Sequence, residues 1–157
     1  MKKAIITGPP FSGKSTLVKK LRELYPRFVF RELDELLIEM NGGIWPDNET
    51  YRNGILVPKV IDEVINSKDR FIFFTSYISP KDIKRAKRKG FLFFQLSCSR
   101  KVLIDRNVNN EVGRQKEMDR NLRYQSEIRN IGLVDKELDC EKPTENLIES
   151  LSDIFGF

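Results

Sequence analysis

The sequence predicts an α/β fold: a five-stranded parallel sheet with helices on both faces, in a single domain. Three observations lead there. Short apolar runs of strand length alternate with segments whose apolar residues recur at helical spacing. The runs are apolar almost throughout, as in Phe71-Ile72-Phe73-Phe74, which suits strands covered on both faces. A glycine-rich turn, Gly8-Pro9-Pro10-Phe11-Ser12-Gly13-Lys14-Ser15-Thr16, joins the first run to the first helical segment.

The expected strands are Lys3–Thr7, 28–32, 70–75, Phe91–Ser97 and a weaker 133–138. Helices are expected at 14–25, where Leu17, Leu21 and Leu24 share a face, and at 34–40, 56–67, 80–89, 101–109, 115–130 and Thr144–Phe155. Pro143, Thr144 and Glu145 suit the start of the last helix, and Gly90 suits the end of the fourth. The clearest loop is Gly42-Gly43-Ile44-Trp45-Pro46-Asp47. No repeat, linker or low-complexity tract interrupts the pattern.

Residues 8–16 fit G-x-x-x-x-G-K-[ST], and the chemistry follows from the residue types. Gly8 and Gly13 permit backbone angles that side chains forbid. The N–H groups from Phe11 to Thr16 can line a phosphate nest at a helix N-terminus, where the dipole favours anions. Pro9 and Pro10 precede that donor run and stiffen the loop. Lys14 should reach the β- and γ-phosphates, and the Ser15 hydroxyl should ligate Mg²⁺. Gly8, Pro9, Phe11, Ser12, Gly13, Lys14, Ser15 and Thr16 are therefore the candidate nucleotide-binding residues.

Composition sets limits. At 157 residues the chain is one domain able to bury about 70% of its unfolded surface. It is 39% hydrophobic and 32% charged with a net charge of +5, which suits anionic ligands such as nucleotides and would also suit nucleic acid. No apolar run nears the ~20 residues of a membrane span. The run after Met1-Lys2-Lys3 stops at Gly8 without a signal cleavage site, so cytoplasmic residence is expected. The two cysteines, Cys98 and Cys140, show no metal or disulfide pattern and are expected as reduced thiols. The chain has no histidine, which excludes histidine acid–base catalysis and histidine metal sites. Phosphoryl transfer loses nothing by that, since it depends on positioning and cationic stabilisation.

Other classes of phosphate-loop protein are poorly matched. Guanine recognition needs Asn-Lys-x-Asp, whereas residues 66–69 read Asn-Ser-Lys-Asp. A motor ATPase closes a buried strand with a carboxylate, whereas the third strand here ends Phe74-Thr75-Ser76-Tyr77. What remains resembles the small P-loop kinases, the adenylate kinase and shikimate kinase group. Gly8-Pro9-Pro10 is similar to the adenylate kinase loop, with Phe11 in place of its glycine, and Ser15-Thr16 matches the shikimate kinase ending. Glu32-Leu33-Asp34, Ile38-Glu39 and Gly42-Gly43 resemble a shikimate kinase stretch whose first acid supports Mg²⁺ and whose second binds the acceptor hydroxyl. The resemblance implies those roles for Glu32 and Asp34, with Asp34 also a candidate Mg²⁺ ligand beside Ser15. Asp34 would equally serve as a helix cap.

Tyr51-Arg52 resembles the aromatic-Arg pair that holds an acceptor's carboxylate or phosphate, against the alternative of a solvated arginine. Ser99 to Arg106 is similar to the stretch entering the adenylate kinase lid, which implies a phosphate or adenine contact for Arg106. Arg120-Asn121-Leu122-Arg123-Tyr124 resembles the helix leaving that lid. Leu138 to Asn146 resembles the turn near the adenine. The expectation is a short helical lid at about 106–124, in which Arg106 and Arg114 close over the phosphates, and an acceptor-binding insertion at about 34–67. Thr75-Ser76-Tyr77 stands where adenylate kinases have Asp-Gly and shikimate kinases a glycine run, so Thr75 is taken as an acceptor contact. The expected activity is transfer of the γ-phosphoryl group of ATP, with Mg²⁺, to a small anionic acceptor. The alternative is a kinase-like regulatory or nucleic-acid-associated protein, motivated by the basic run Lys81 to Lys89. That run also reads as a solvated helix face.

Overall fold

The computed structural model describes residues 2–107 and 112–157. The elements run β1 (Lys3–Thr7), α1 (Lys14–Leu24), β2 (Val29–Glu32), α2 (Leu33–Met40), α3 (Glu49–Tyr51), a π-helical turn (Arg52–Leu56), α4 (Val57–Asn66), β3 (Phe71–Thr75), α5 (Pro80–Arg88), β4 (Phe91–Ser97), α6 (Arg100–Arg106), α7 (Val112–Asn130), β5 (Lys136–Asp139) and α8 (Thr144–Phe155). The five strands form one sheet in the order β2-β3-β1-β4-β5, and every pairing is parallel.

The period-two alternation of each strand builds two cores. Ile5, Phe71, Phe73, Phe91 and Phe93 face one layer, made by α2, α4, α5 and α7 through Leu37, Val60, Ile61, Ile83 and Ile128. Ala4, Ile6, Ile72, Phe74, Phe94 and Leu96 face the other, made by α1 and α8 through Leu17, Val18, Leu21, Ile148, Leu151 and Phe155. This is the three-layer arrangement the apolar runs predict. Each large buried side chain is worth about 1.5–3 kcal/mol of transfer free energy, so the fully buried Phe73 and Phe93 of the central strands anchor the fold.

Several boundaries differ from expectation for local reasons. The second helix begins at Leu33, so Glu32 holds the N-cap position and Asp34 lies inside the first turn. Asp34 is therefore not the cap. Residues 49–56 are helical, which their spacing does not announce. Asn48 accepts a hydrogen bond from the Tyr51 N–H at 2.9 Å and starts this segment. Pro58 has no N–H to return to the Gly54 carbonyl, and the turn just before it widens into π-helix. The helix expected at 101–109 ends at Arg106, and residues 108 and 109 lie outside the described residues. Leu133 and Val134 pack on the core, so the last strand starts only at Lys136.

The cysteines require a correction. Cys98 and Cys140 are joined by a disulfide, with Cα atoms 5.4 Å apart. Ser97 of β4 pairs with Asp139 of β5, and each cysteine is the next residue along its chain. Adjacent parallel strands thus deliver the two thiols to the same point. The separation of 42 residues hides that from a reading of spacing.

Closing a loop of 42 residues removes enough unfolded-state entropy for Cys98→Ser to lower the unfolding free energy by about 2–4 kcal/mol. Urea unfolding of the two proteins in oxidising buffer measures it. An unchanged midpoint means that the bond does not form.

Candidate active site

The glycine-rich turn at residues 8–16 leaves the carboxyl end of β1, at the centre of the sheet. Its geometry needs both glycines. A Cβ on Gly8 would lie 2.7 Å from Ser12 Oγ, closer than real Cβ contacts, and 3.0 Å from Leu96 Cβ, tighter than most of them. Gly13 has φ of 91° and holds the N-cap position of α1. Phe11 has φ of 65°, a left-handed backbone that costs a side chain about 1–2 kcal/mol. The strained residue is tied down, since Arg106 Nη1 donates to the Phe11 carbonyl at 3.1 Å.

Helix α1 has neither a side-chain cap nor an acid in its first turn. The N–H groups of Lys14, Ser15 and Thr16 have no helical acceptor, and the Ser15 and Thr16 side chains are exposed beside them. Ser12 Oγ is buried without a hydrogen-bond partner. Lys14 Nζ donates to the carbonyls of Gly8 and, at 3.2 Å, of Pro9. Burial lowers the Lys14 pKa to about 8, against the opposing charges of Glu117, Asp34 and Glu32. A desolvated cation together with unpaired N–H donors can hold an anion. An orphaned hydroxyl and a turn that excludes a Cβ fit a polyphosphate held by the backbone.

Two cavities flank this turn. One, of about 570 Å³, is lined by Phe11, Gly13, Thr16, Arg106, Cys140 and Pro143 among others. The other, of about 750 Å³, reaches Lys14 and Ser15 from the opposite side, with Glu32, Asp34, Thr75, Tyr77, Arg120 and Asn121 among its walls. Ser15, Glu32 and Asp34 together offer one hydroxyl and two carboxylates. That set suits Mg²⁺, which takes one or two carboxylates and completes its shell with phosphate and water.

Neighbouring charges shape the second cavity. Arg22 makes a bidentate contact with Glu35 at 2.7 and 2.8 Å and lies 3.9 Å from Glu32. The Arg22 hydrogen bond holds the Glu35 carboxyl below its usual range. Burial, then the neighbouring Glu35 charge, pushes the Glu32 carboxyl up, while Arg22 opposes the shift.

The structure brings Lys14, Ser15, Glu32, Asp34 and Thr75 to the same cavity, and Arg106 to the other. Arg106 Nη2 also donates to the Cys140 carbonyl at 2.9 Å, linking the glycine-rich turn to the segment after β5. Arg114 pairs with Glu117 at 3.0 Å, close enough for its charge to lower the Lys14 pKa. Arg52 is not among the described residues lining either cavity. Its guanidinium donates to the Pro46 carbonyl at 2.9 Å and lies 5.2 Å from the centre of the Trp45 ring. Thr75 is buried, and its hydroxyl serves the Tyr77 backbone. Sequence reasoning passed over Glu49, Asn53, Asn121 and Tyr124 as wall residues. Only the last two left a signal, as part of the Arg120–Tyr124 motif. In the basic run, Arg85 is paired with Asp62 and Asp82, and Lys87 with Asp135.

No protein-family model matches this sequence, and no curated protein matches it either. Solved structures do. A shikimate kinase from Acinetobacter baumannii in complex with shikimate aligns with a TM-score of 0.71 at 14% identity, over 98% of this chain and 93% of that one. A shikimate kinase from Bacteroides thetaiotaomicron gives a TM-score of 0.69 at 16% identity, over 99% and 98%. A gluconokinase from Sinorhizobium meliloti 1021 gives 0.64 at 19% identity, over 94% and 87%. The fold is that of the small P-loop kinases. Within that fold, the glycine-rich turn, the two cavities and the β3–α5 loop lie at the sheet's carboxyl edge. No helix among the described residues is long and apolar enough to cross a membrane.

Two outcomes follow from these contacts. A buried lysine whose pKa is lowered from 10.5 to about 8 binds its proton more weakly in the folded than in the unfolded state, so its burial penalty is full below pH 8 and lifts as pH rises to 10.5. The stability difference between the wild type and Lys14→Met should shift in the wild type's favour over that window. A flat difference shows that the ammonium is not desolvated. Arg52→Ala should cost about 1–2 kcal/mol in urea unfolding, by releasing Pro46 and Trp45. A loss below about 0.3 kcal/mol contradicts the packing of this loop.

Proposed function

We propose that this protein is an ATP- and Mg²⁺-dependent phosphotransferase acting on a small anionic acceptor. The observation that carries the reading is the pair of cavities on either side of one phosphate turn, with Lys14 and Ser15 in the wall of the larger. A nucleotide in the smaller cavity would present its terminal phosphate through the turn to an acceptor in the larger. The names of the neighbouring kinases, one with shikimate bound, support a small-molecule acceptor.

In this reading the N–H groups at the start of α1 bind the phosphate oxygens, and Lys14 gives up its contacts with Gly8 and Pro9 to neutralise charge as it develops. Ser15 and Asp34 would hold Mg²⁺ with support from Glu32, and the ion would supply Lewis-acid neutralisation of the phosphates when bound. Arg106 orients the turn from the donor side, and Arg114 adds positive charge beyond Lys14. Asp34 accepts a hydrogen bond from the acceptor hydroxyl. Arg120, exposed on α7 with no ion-pair partner among the described residues, faces the acceptor's anionic group. Arg52 holds Pro46 and Trp45, in the loop that leads to the cavity-wall residue Glu49.

ADP should form from ATP only when a suitable acceptor is present, and Lys14→Ala should lower turnover by two orders of magnitude or more. A hundredfold excess of Mg·ATP over its dissociation constant should stabilise the wild type by about 2.7 kcal/mol. Lys14→Ala should lose much of that gain. A variant with the same thermal shift and turnover as the wild type removes the phosphate turn from the reaction.

A further inference from the structure

The loop after β3 is held more firmly than its length requires. Thr75 Oγ1 donates to the Tyr77 carbonyl at 3.1 Å. Asn121 Nδ2 donates to the Ser76 carbonyl at 3.0 Å. Tyr124 Oη donates to the Ile78 carbonyl at 2.6 Å and accepts from the Ile78 N–H at 3.2 Å. Helix α7 thus grips residues 76 and 78 on either side of Tyr77. The backbone at 77 is fixed, and the side chain that emerges is an aromatic ring in the cavity wall.

That ring remains 56% exposed, although its centre is 4.8 Å from the ring centre of the buried Tyr124. Tyr124 supports it from one side, and Tyr77 is among the residues that wall the cavity. A rigid, supported and exposed aromatic in a pocket wall is a surface for a flat apolar face.

The neighbouring amide supplies a second, independent sign. Asn121 is 7% exposed and lines the same cavity. Its Nδ2 is committed to Ser76, which fixes the orientation of the amide, and its Oδ1 is buried without a partner. A buried acceptor left unpaired costs about 1–3 kcal/mol, which a donor on a ligand would recover. The Thr75 hydroxyl is spent within the loop and offers no such selection.

We propose that Tyr77 and Asn121 select the acceptor: a ring compound whose flat face packs on Tyr77 and whose ring-borne O–H or N–H donates to Asn121 Oδ1. The inference rests on the kinase reading for the word acceptor, but not for the binding. Two kinds of ligand share this chemistry, aromatic heterocycles and hydroxylated rings flattened by a ring double bond. Open-chain polyol acids have the hydroxyls without the face.

The test measures binding and turnover separately on the full chain. Adenosine monophosphate, shikimate and gluconate serve as the aromatic, hydroxylated cyclohexene and open-chain probes. Calorimetry with each probe should show one of the two ring compounds binding at least tenfold more tightly than gluconate, and which one does so identifies the ring. Tyr77→Ala should weaken that ring compound tenfold or more and leave Mg·ATP binding unchanged, which also shows that the variant is folded. Tyr77→Phe should restore ring binding to within about twofold. If the kinase reading holds, the loss appears in the acceptor KM and not in kcat. Equal or tighter binding of gluconate overturns the proposal. So does an unchanged ring affinity in Tyr77→Ala, or a Tyr77→Phe protein as weak as Tyr77→Ala. Selective, Tyr77-dependent ring binding without ADP formation upholds this inference and refutes the kinase reading. Acceptor-dependent ADP formation from gluconate does the reverse.

Discussion

Parallel pairing on both sides of β1 is the constraint from which the candidate site follows. Thr7 is in register with Thr75 of β3 and Gln95 of β4, and Glu32 with Phe74. Parallel strands all leave the sheet in the same direction, so the segments after β1, β2, β3, β4 and β5 gather at one edge. The glycine-rich turn, Glu32 with Asp34, the loop at Thr75–Tyr77, and the cysteine pair are those segments. Burial on both faces makes this register costly to slip, because a one-residue shift would exchange the two cores.

Helix α7 converts that edge into a cavity with fixed walls. Its inner face carries hydrophobic packing through Ile128 and Tyr124. The same face carries polar side chains that satisfy backbone groups of the sheet edge. Gln125 Nε2 donates to the Leu96 carbonyl at 3.0 Å, and Gln95 Nε2 reaches the Gln125 carbonyl at 3.4 Å. Asn121 and Tyr124 do the same for residues 76 and 78. Irregular backbone beside the sheet is thus supplied with partners, which a buried loop must have to be stable.

The glycine-rich turn carries local costs that the rest of the fold offsets. It holds a non-glycine residue at positive φ, a lysine partly stripped of water and a buried hydroxyl without a partner. Each of these is unfavourable on its own, and all three lie within residues 11–14. Strain and unpaired polar groups concentrated in one short segment mark a site prepared for a ligand. The Arg106 contacts with Phe11 and Cys140, and the disulfide at Cys140, brace the segment from the side of the smaller cavity.

What the sequence determined by itself is what local geometry controls. The order of strands and helices is set by the periodicity of apolar side chains, and the phosphate turn by nine consecutive residues, so both are legible without coordinates. The segment at 49–56 was hidden because its helix depends on an Asn48 cap and a π turn rather than on an apolar stripe. Tertiary structure alone decided three matters. It joined Cys98 to Cys140 through the β4–β5 register. It turned Arg52 onto Pro46 and Trp45, when its residue type suggested an acceptor's anion. It placed Asn121 and Tyr124 against a loop some 45 residues earlier in the chain. Such contacts depend on how strands register and how helices cross them. No spacing within one segment encodes that.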